Sequence, residues 1–229
     1  MAVNRHLSHH PIEIAAGRVK LTSHVNKFGY TGTDLNGTAT IWDGNGTTAN
    51  YPYPAAGTAA ATSTQNSGAK VEIQGLDDNY ELATEIVTIG GGAGSTTFSR
   101  IFRAKMINAT NGADVTINQG GNLAAKILAN NSQTLMSVYT IPKNTTGYLM
   151  KFQGSADKDT DVKFRLMARE PKRVFNIKGQ WGTRAGNAAN YDYPVPLVFP
   201  ELTDIKVEAT TGASCGCGAI FDLILVNDF

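Results

Sequence analysis

Apolar residues along this chain alternate with polar ones in short runs, which is the period of a half-buried β-strand. Val71 and Ile73 alternate with Glu72 and Gln74. Val162, Phe164 and Leu166 alternate with Lys163 and Arg165, and Ile205, Val207 and Ala209 with Asp204, Lys206 and Glu208. Val115/Ile117 and Tyr148/Met150/Phe152 repeat the pattern. Glu81–Ile89 reads as a further strand, as does Thr96–Met106 with Phe98, Ile101 and Phe102 as its apolar residues. The last run, Ala219–Val226, is apolar everywhere except Asp222 and predicts a strand inside the core. Only Leu123–Ala129 could form a short helix, with a strand as its alternative.

Turn signals separate these runs at short intervals: Gly75–Asn79, Gly90–Gly94, Asn111-Gly112, Gly120-Gly121, Pro142–Asn144 and Gly154–Asp159. Regularly spaced short strands with Gly-rich turns predict an all-β fold, a β-sandwich or jelly roll of antiparallel sheets. Two kinds of segment depart from the pattern. Residues 1–30 read as an extended N-terminal arm with β-like pieces at Ile12–Ala16 and Val19–Thr22, suited to contact with a neighbouring subunit. Tyr51–Ser67 and Gly179–Pro200 read as long surface loops. The expected organisation is an arm over 1–30 and a sandwich domain over 31–229, with two packed subdomains divided near 107–113 as the alternative.

The chain has 229 residues, 20 basic and 19 acidic, for a net charge of +1. A chain of this length can bury roughly 70% of its unfolded surface, so it can build a core without covalent staples. The charge balance argues against capture of nucleic acid, which needs a basic stripe. No stretch approaches the roughly 20 apolar residues of a membrane-spanning helix. MAVNRHLSHHPIEI lacks the apolar run of a signal peptide, which predicts synthesis in a bacterial cytoplasm.

Candidate chemistry is sparse. All four histidines, His6, His9, His10 and His24, lie in the first 24 residues, where a probable arm offers no rigid frame for catalysis. His6, His9 and His10 have a spacing that could hold a metal, but only Glu13 lies close by, so subunit contact is the better reading. Cys215-Gly216-Cys217 lacks a second ligand pair for zinc, and a disulfide across one residue would be strained. These thiols read as small residues of the glycine-rich turn Thr210–Gly218. DKDTD at 157–161 begins like a calcium loop but lacks its glycine and closing glutamate. No catalytic residue, metal site or cofactor is expected. The residues left for function are protein-contact candidates: His6, His9 and His10 on the arm, with Tyr51, Tyr53, Trp181, Tyr191 and Tyr193 on the two loops. Aromatics on loops over a rigid sandwich suit contact with a protein or a sugar, and equally suit capping of the sandwich ends.

Several words of the chain resemble, in order, a family of virion structural proteins of tailed bacteriophages, especially phages of aquatic bacteria. They are VNKFG (Val25–Gly29), IWDG (Ile41–Gly44), IQGLDDNYELATEIVTI (Ile73–Ile89) and SRIFRAKM (Ser99–Met106). TLMSVYTIPKNTTGYL (Thr134–Leu149), RVFN (Arg173–Asn176) and FDLILV (Phe221–Val226) continue the series. The resemblance implies a particle component and no enzyme. Within that class the expectation is a capsid decoration, or cement, protein on the outer shell of the virion, bridging subunits of the major capsid protein and assembling as a homotrimer. The alternatives are a tail, collar or fibre-associated component, and a carbohydrate-binding module for the host surface.

Overall fold

Each alternating run buries only one face and leaves its backbone donors and acceptors open, so it becomes stable by pairing with others. A computed structural model describes residues 10–184 and 187–228 and resolves the runs into fifteen strands and one short helix. The helix is α1 (His10–Ala15), followed by β1 (Thr22–Tyr30) and β2 (Leu35–Thr40). Next come β3 (Gly57–Ser63), β4 (Lys70–Asp77), β5 (Leu82–Thr88), β6 (Ala93–Met106), β7 (Val115–Gln119) and β8 (Asn122–Ile127). The remainder is β9 (Val138–Thr140), β10 (Thr145–Ala156), β11 (Asp161–Arg169), β12 (Asn176–Arg184), β13 (Ala189–Phe199), β14 (Asp204–Cys215) and β15 (Cys217–Asn227).

All pairings are antiparallel, as expected for an all-β chain with short connections. One sheet has the order β1-β15-β10-β13, and a second has β12-β11-β14-β2 with β9 also on β14. These two form a β-sandwich: Leu149, Phe152, Phe221 and Leu223 of the first share a core with Phe164, Leu166, Ile205 and Val207 of the second. The third sheet, β5-β4-β6-β3-β7-β8, comes entirely from residues 57–127, an excursion between β2 and β9. It has its own core of Val71, Ile73, Phe98, Ile117 and Ile127, closed by Trp42, Met136 and Val138 from outside the sheet.

This arrangement differs from the expected boundaries in several places. Residues 107–113 are the β6–β7 connection inside one sheet; the chain passes between the two cores around 41–56 and 128–137 instead. The arm is shorter than 1–30, because β1 pairs along its length with β15 as an integral strand of the sandwich. Ile12–Ala15 is helical, not β-like. Tyr51–Ser67 contains β3, and Gly179–Pro200 is mostly β12 and β13. Small side chains hid β3, since they give a weak alternation signal while still pairing through the backbone, and Pro194 and Pro196 hid β13 by reading as loop residues. Residues 122–127 take the strand alternative as β8. The period of β10 breaks at a bulge between Leu149 and Lys151. Phe152 therefore faces the core while Tyr148 and Met150 stay half-buried on the other face.

A second bulge, between Gln74 and Gly75, brings β4 close to β6. A Cβ at Gly75 would lie 2.0 Å from the carbonyl oxygen of Arg100, which is backbone and cannot step aside. Gly75→Ala is therefore expected to destabilise the protein by about 1–3 kcal/mol, read as a lower midpoint in urea unfolding.

Candidate contact surface

Tyr51 and Tyr53, expected on an exposed loop, are built into the joint between the two cores. Tyr51 is buried and donates its hydroxyl to the Ile101 carbonyl (2.8 Å), and burial pushes that hydroxyl above the usual phenol range. Its ring lies edge-on to Trp42 and Tyr53 at centroid distances of 5.2 and 4.7 Å. Tyr53 continues the row to Phe175 at 5.3 Å. The guanidinium of Arg169 lies over both Tyr53 (4.5 Å) and Phe175 (4.6 Å), and that of Arg100 lies 5.5 Å from Tyr53.

Asp204 ties these cations together. It accepts two bonds from Arg100 of the third sheet (2.8 and 3.2 Å), one from Arg169 of the sandwich (2.8 Å) and one from Thr140 (2.7 Å). The alternation of β14 places Asp204 opposite its core residues, and that face would ordinarily be wet. Here Arg100 of the third sheet covers Asp204, while Lys206 pairs with Glu208 and lies over the Phe175 ring, so both are buried. Nothing in the local sequence announces this, because the covering residue Arg100 lies 104 positions away.

Trp181, Tyr191 and Tyr193 do come together, at the seam between the sandwich sheets. Trp181 on β12 stacks on Phe152 of β10 (centroids 4.1 Å, planes 12° apart), and Phe152 meets Phe164 at 6.3 Å. Outward from Trp181 the row runs to Tyr191 (6.1 Å) and then Tyr193 (4.7 Å from Tyr191). The ladder joins the end strands β12 and β13 of the two sheets, so capping of the sandwich accounts for Trp181 and much of Tyr193. One face of the Trp181 ring is already covered, and only Tyr191 presents a substantially exposed ring. His6 and His9 lie outside the described residues, and His10 is the first residue of α1.

The surfaces open to a partner lie elsewhere. β5 ends the third sheet and exposes Leu82 (63%) and Ile86 (56%); β13 ends a sandwich sheet and exposes Val195 (79%) and Val198 (58%). A strand at a sheet end also leaves backbone groups unpaired; β5 carries Glu85 there, and β13 carries Asp192, Pro194 and Pro196, which blunt its edge. Pattern reading identified β5 as a strand but could not show that it is terminal. Against the first sheet, α1 buries Ile14 and leaves a groove of ≈ 500 Å³ lined by Ile12, His24, Met150, Asp222 and Ile224. At its rim His24 and Asn26 both contact Asp222, at 3.2 and 2.6 Å.

The other chemical candidates are structural. Cys215 ends β14 and Cys217 begins β15, both thiols free and buried, with Gly216 as the corner between the two sandwich sheets. Burial and the neighbouring Cys215 push the Cys217 thiol up to about 12, so it stays protonated at neutral pH. Asp157 accepts from the Tyr30 hydroxyl (2.6 Å) and the Gly216 N–H (2.8 Å), which spends it on holding that corner and keeps its carboxyl below the usual range. Asp159 pairs with Arg184 at 2.9 Å. Among the described residues no three His, Cys, Asp or Glu side chains are grouped to hold a metal ion, and no helix is long and apolar enough to cross a membrane.

No family model and no curated protein matches the chain. Among solved structures, a chain of the infectious bursal disease virus Gt strain aligns over 90% of this chain and 71% of its own length, at 11% identity and a TM-score of 0.27. A chain of the Gx strain of the same virus aligns over 90% and 75%, at 10% identity and a TM-score of 0.22. At such scores the two likenesses establish neither a shared architecture nor a shared role.

Proposed function

We propose that this protein is a structural component of a virus particle that works by contact alone, as a capsid decoration protein of a tailed bacteriophage. The observation that carries the reading is that two of the terminal strands, β5 and β13, each present two bulky apolar side chains to solvent at a sheet end. The ordered resemblance of seven sequence words to phage virion proteins supports the same role. Tyr51, the two thiols, Asp157 and Asp204 are held in structural contacts, and no catalytic role is assigned.

These two edges, β5 and β13, differ from one another. Copies joined by unlike edges make a head-to-tail contact, which closes into a ring when the rotation allows, and a homotrimer is the form proposed. Docked on the outer surface, each copy would bridge neighbouring subunits of the major capsid protein. A protein that binds the assembled shell and not its free subunits stabilises the shell by mass action. The test is to mix purified protein with shells that lack it and count bound copies. Occupancy that follows the number of shell subunits is expected; binding at one vertex would favour a tail or collar component, and no binding would remove the reading.

A further inference from the structure

The chain is almost neutral, yet its charge is unevenly placed. Residues 165–178 carry Arg165, Arg169, Lys172, Arg173 and Lys178 against Glu170 alone, a net +4 that leaves −3 for all the rest. Arg169 is taken up by Asp204 and Arg165 by Gln180. Arg173 and Lys178 form no ion pair among the described residues, and both line a groove of ≈ 360 Å³ where the ends of β11 and β12 meet the β13–β14 turn. Glu170, Asn176, Phe199 and Thr203 are among the other residues of the lining. The Thr203 side chain is 2% exposed, and its hydroxyl has no hydrogen-bond partner among the described residues. The groove is bounded by tight turns, with Arg173 N–H bonded to Glu170 O (3.0 Å), Thr203 N–H to Pro200 O (3.4 Å), and positive φ at Lys172 and Leu202.

We infer that this groove receives an acidic side chain from a segment of a partner protein, with Arg173 and Lys178 as its cationic clamp. Arg173 and Lys178 against Glu170 leave the lining with one net positive charge, which supplies the complementarity. A guanidinium offers paired donors in the plane that a carboxylate needs. Glu170 in the lining selects against ligands of higher negative charge, which would meet it unpaired. The inference deepens the proposed contact role by naming the chemistry of the partner, and it can fail while that role stands.

The experiment measures fluorescence anisotropy of a labelled peptide of Glu and Gly residues against the purified full chain at low salt. Saturable binding is expected, weakened about tenfold by Arg173→Gln combined with Lys178→Gln. Lys163→Gln, on an exposed lysine outside the groove, should leave binding unchanged. No binding at low salt, an equal loss in Lys163→Gln, or displacement by inorganic phosphate at matched concentration would overturn the inference. Repeating the shell-binding assay with the double variant separates the two claims. Shells that take up the wild type and the double variant equally would sink this inference alone, whereas shells that take up neither would sink the wider role.

Discussion

Replacing Asp204 with Asn is expected to destabilise the folded protein by about 3–5 kcal/mol, the range for breaking a buried charge network by removing one partner. Among the described residues Asp204 is the only carboxylate contacted by both Arg100 and Arg169. Those side chains are only 17% and 30% exposed, so neither can recover full hydration without moving away from Tyr53 and Phe175. Removing the charge leaves two cations facing each other across the joint between the cores. The loss should appear in urea unfolding as a lower midpoint. A broader, multi-phase transition would show that the sandwich and the third sheet now melt separately, since this network is where they are tied. A cost below about 1 kcal/mol would mean that both arginines reach solvent freely and that the joint is held by apolar packing.

The second large effect has the opposite sign. Asp43 is 2% exposed where the chain leaves the sandwich for the third sheet. One carboxyl oxygen accepts the Leu135 N–H (2.6 Å), and the other has no partner among the described residues. Burial pushes the carboxyl up to about 7, against that single hydrogen bond and the opposed influences of Lys126 and Asp114. Between pH ~4 and ~7 the folded protein holds a proton that the unfolded chain has released, so stability falls as pH rises through this window and is level above it. A shift from 3.8 to about 7 corresponds to roughly 4 kcal/mol at full ionisation. Asp43→Asn removes the ionisation and should match the wild type near pH 4 while exceeding it at pH 8. For a chain of this size the wild-type Tm should drop by about 10 °C between pH 5 and 8, with the variant nearly level. Below pH 4 both proteins should weaken together, as Asp34, Glu72, Asp114 and Asp157, all held below the usual carboxylate range, take up protons. Parallel curves for the two proteins would refute the assignment.

Much of the architecture is legible from alternation, because pairing and one-sided burial impose period two on each strand. Val71/Ile73, Val162/Phe164/Leu166 and Ile205/Val207 face their cores as their spacing implies. What alternation cannot convey is whether the opposite face is wet. Asp204 and Lys206 share the polar face of β14, which Arg100 and Phe175, distant in sequence, then cover. Lys27 is a related case: it occupies an inward position of β1, donates to the Phe102 carbonyl, and burial with Arg103 nearby holds its amine well below the usual lysine range. Tyr51 and Tyr53 misled for another reason. They sit among prolines and small residues, a composition typical of surface loops, yet that segment is the passage between two cores and must fill the space between them. Leu82 and Ile86 looked like ordinary strand residues, since only the order of strands in the sheet reveals a terminal edge.

The most direct test of the account is the number of copies of this chain in purified virions, counted against the major capsid protein by quantitative mass spectrometry. A role in decorating the shell predicts a fixed stoichiometry that scales with the shell's subunits. A count matching tail symmetry, or absence of the chain from the particle, would contradict it.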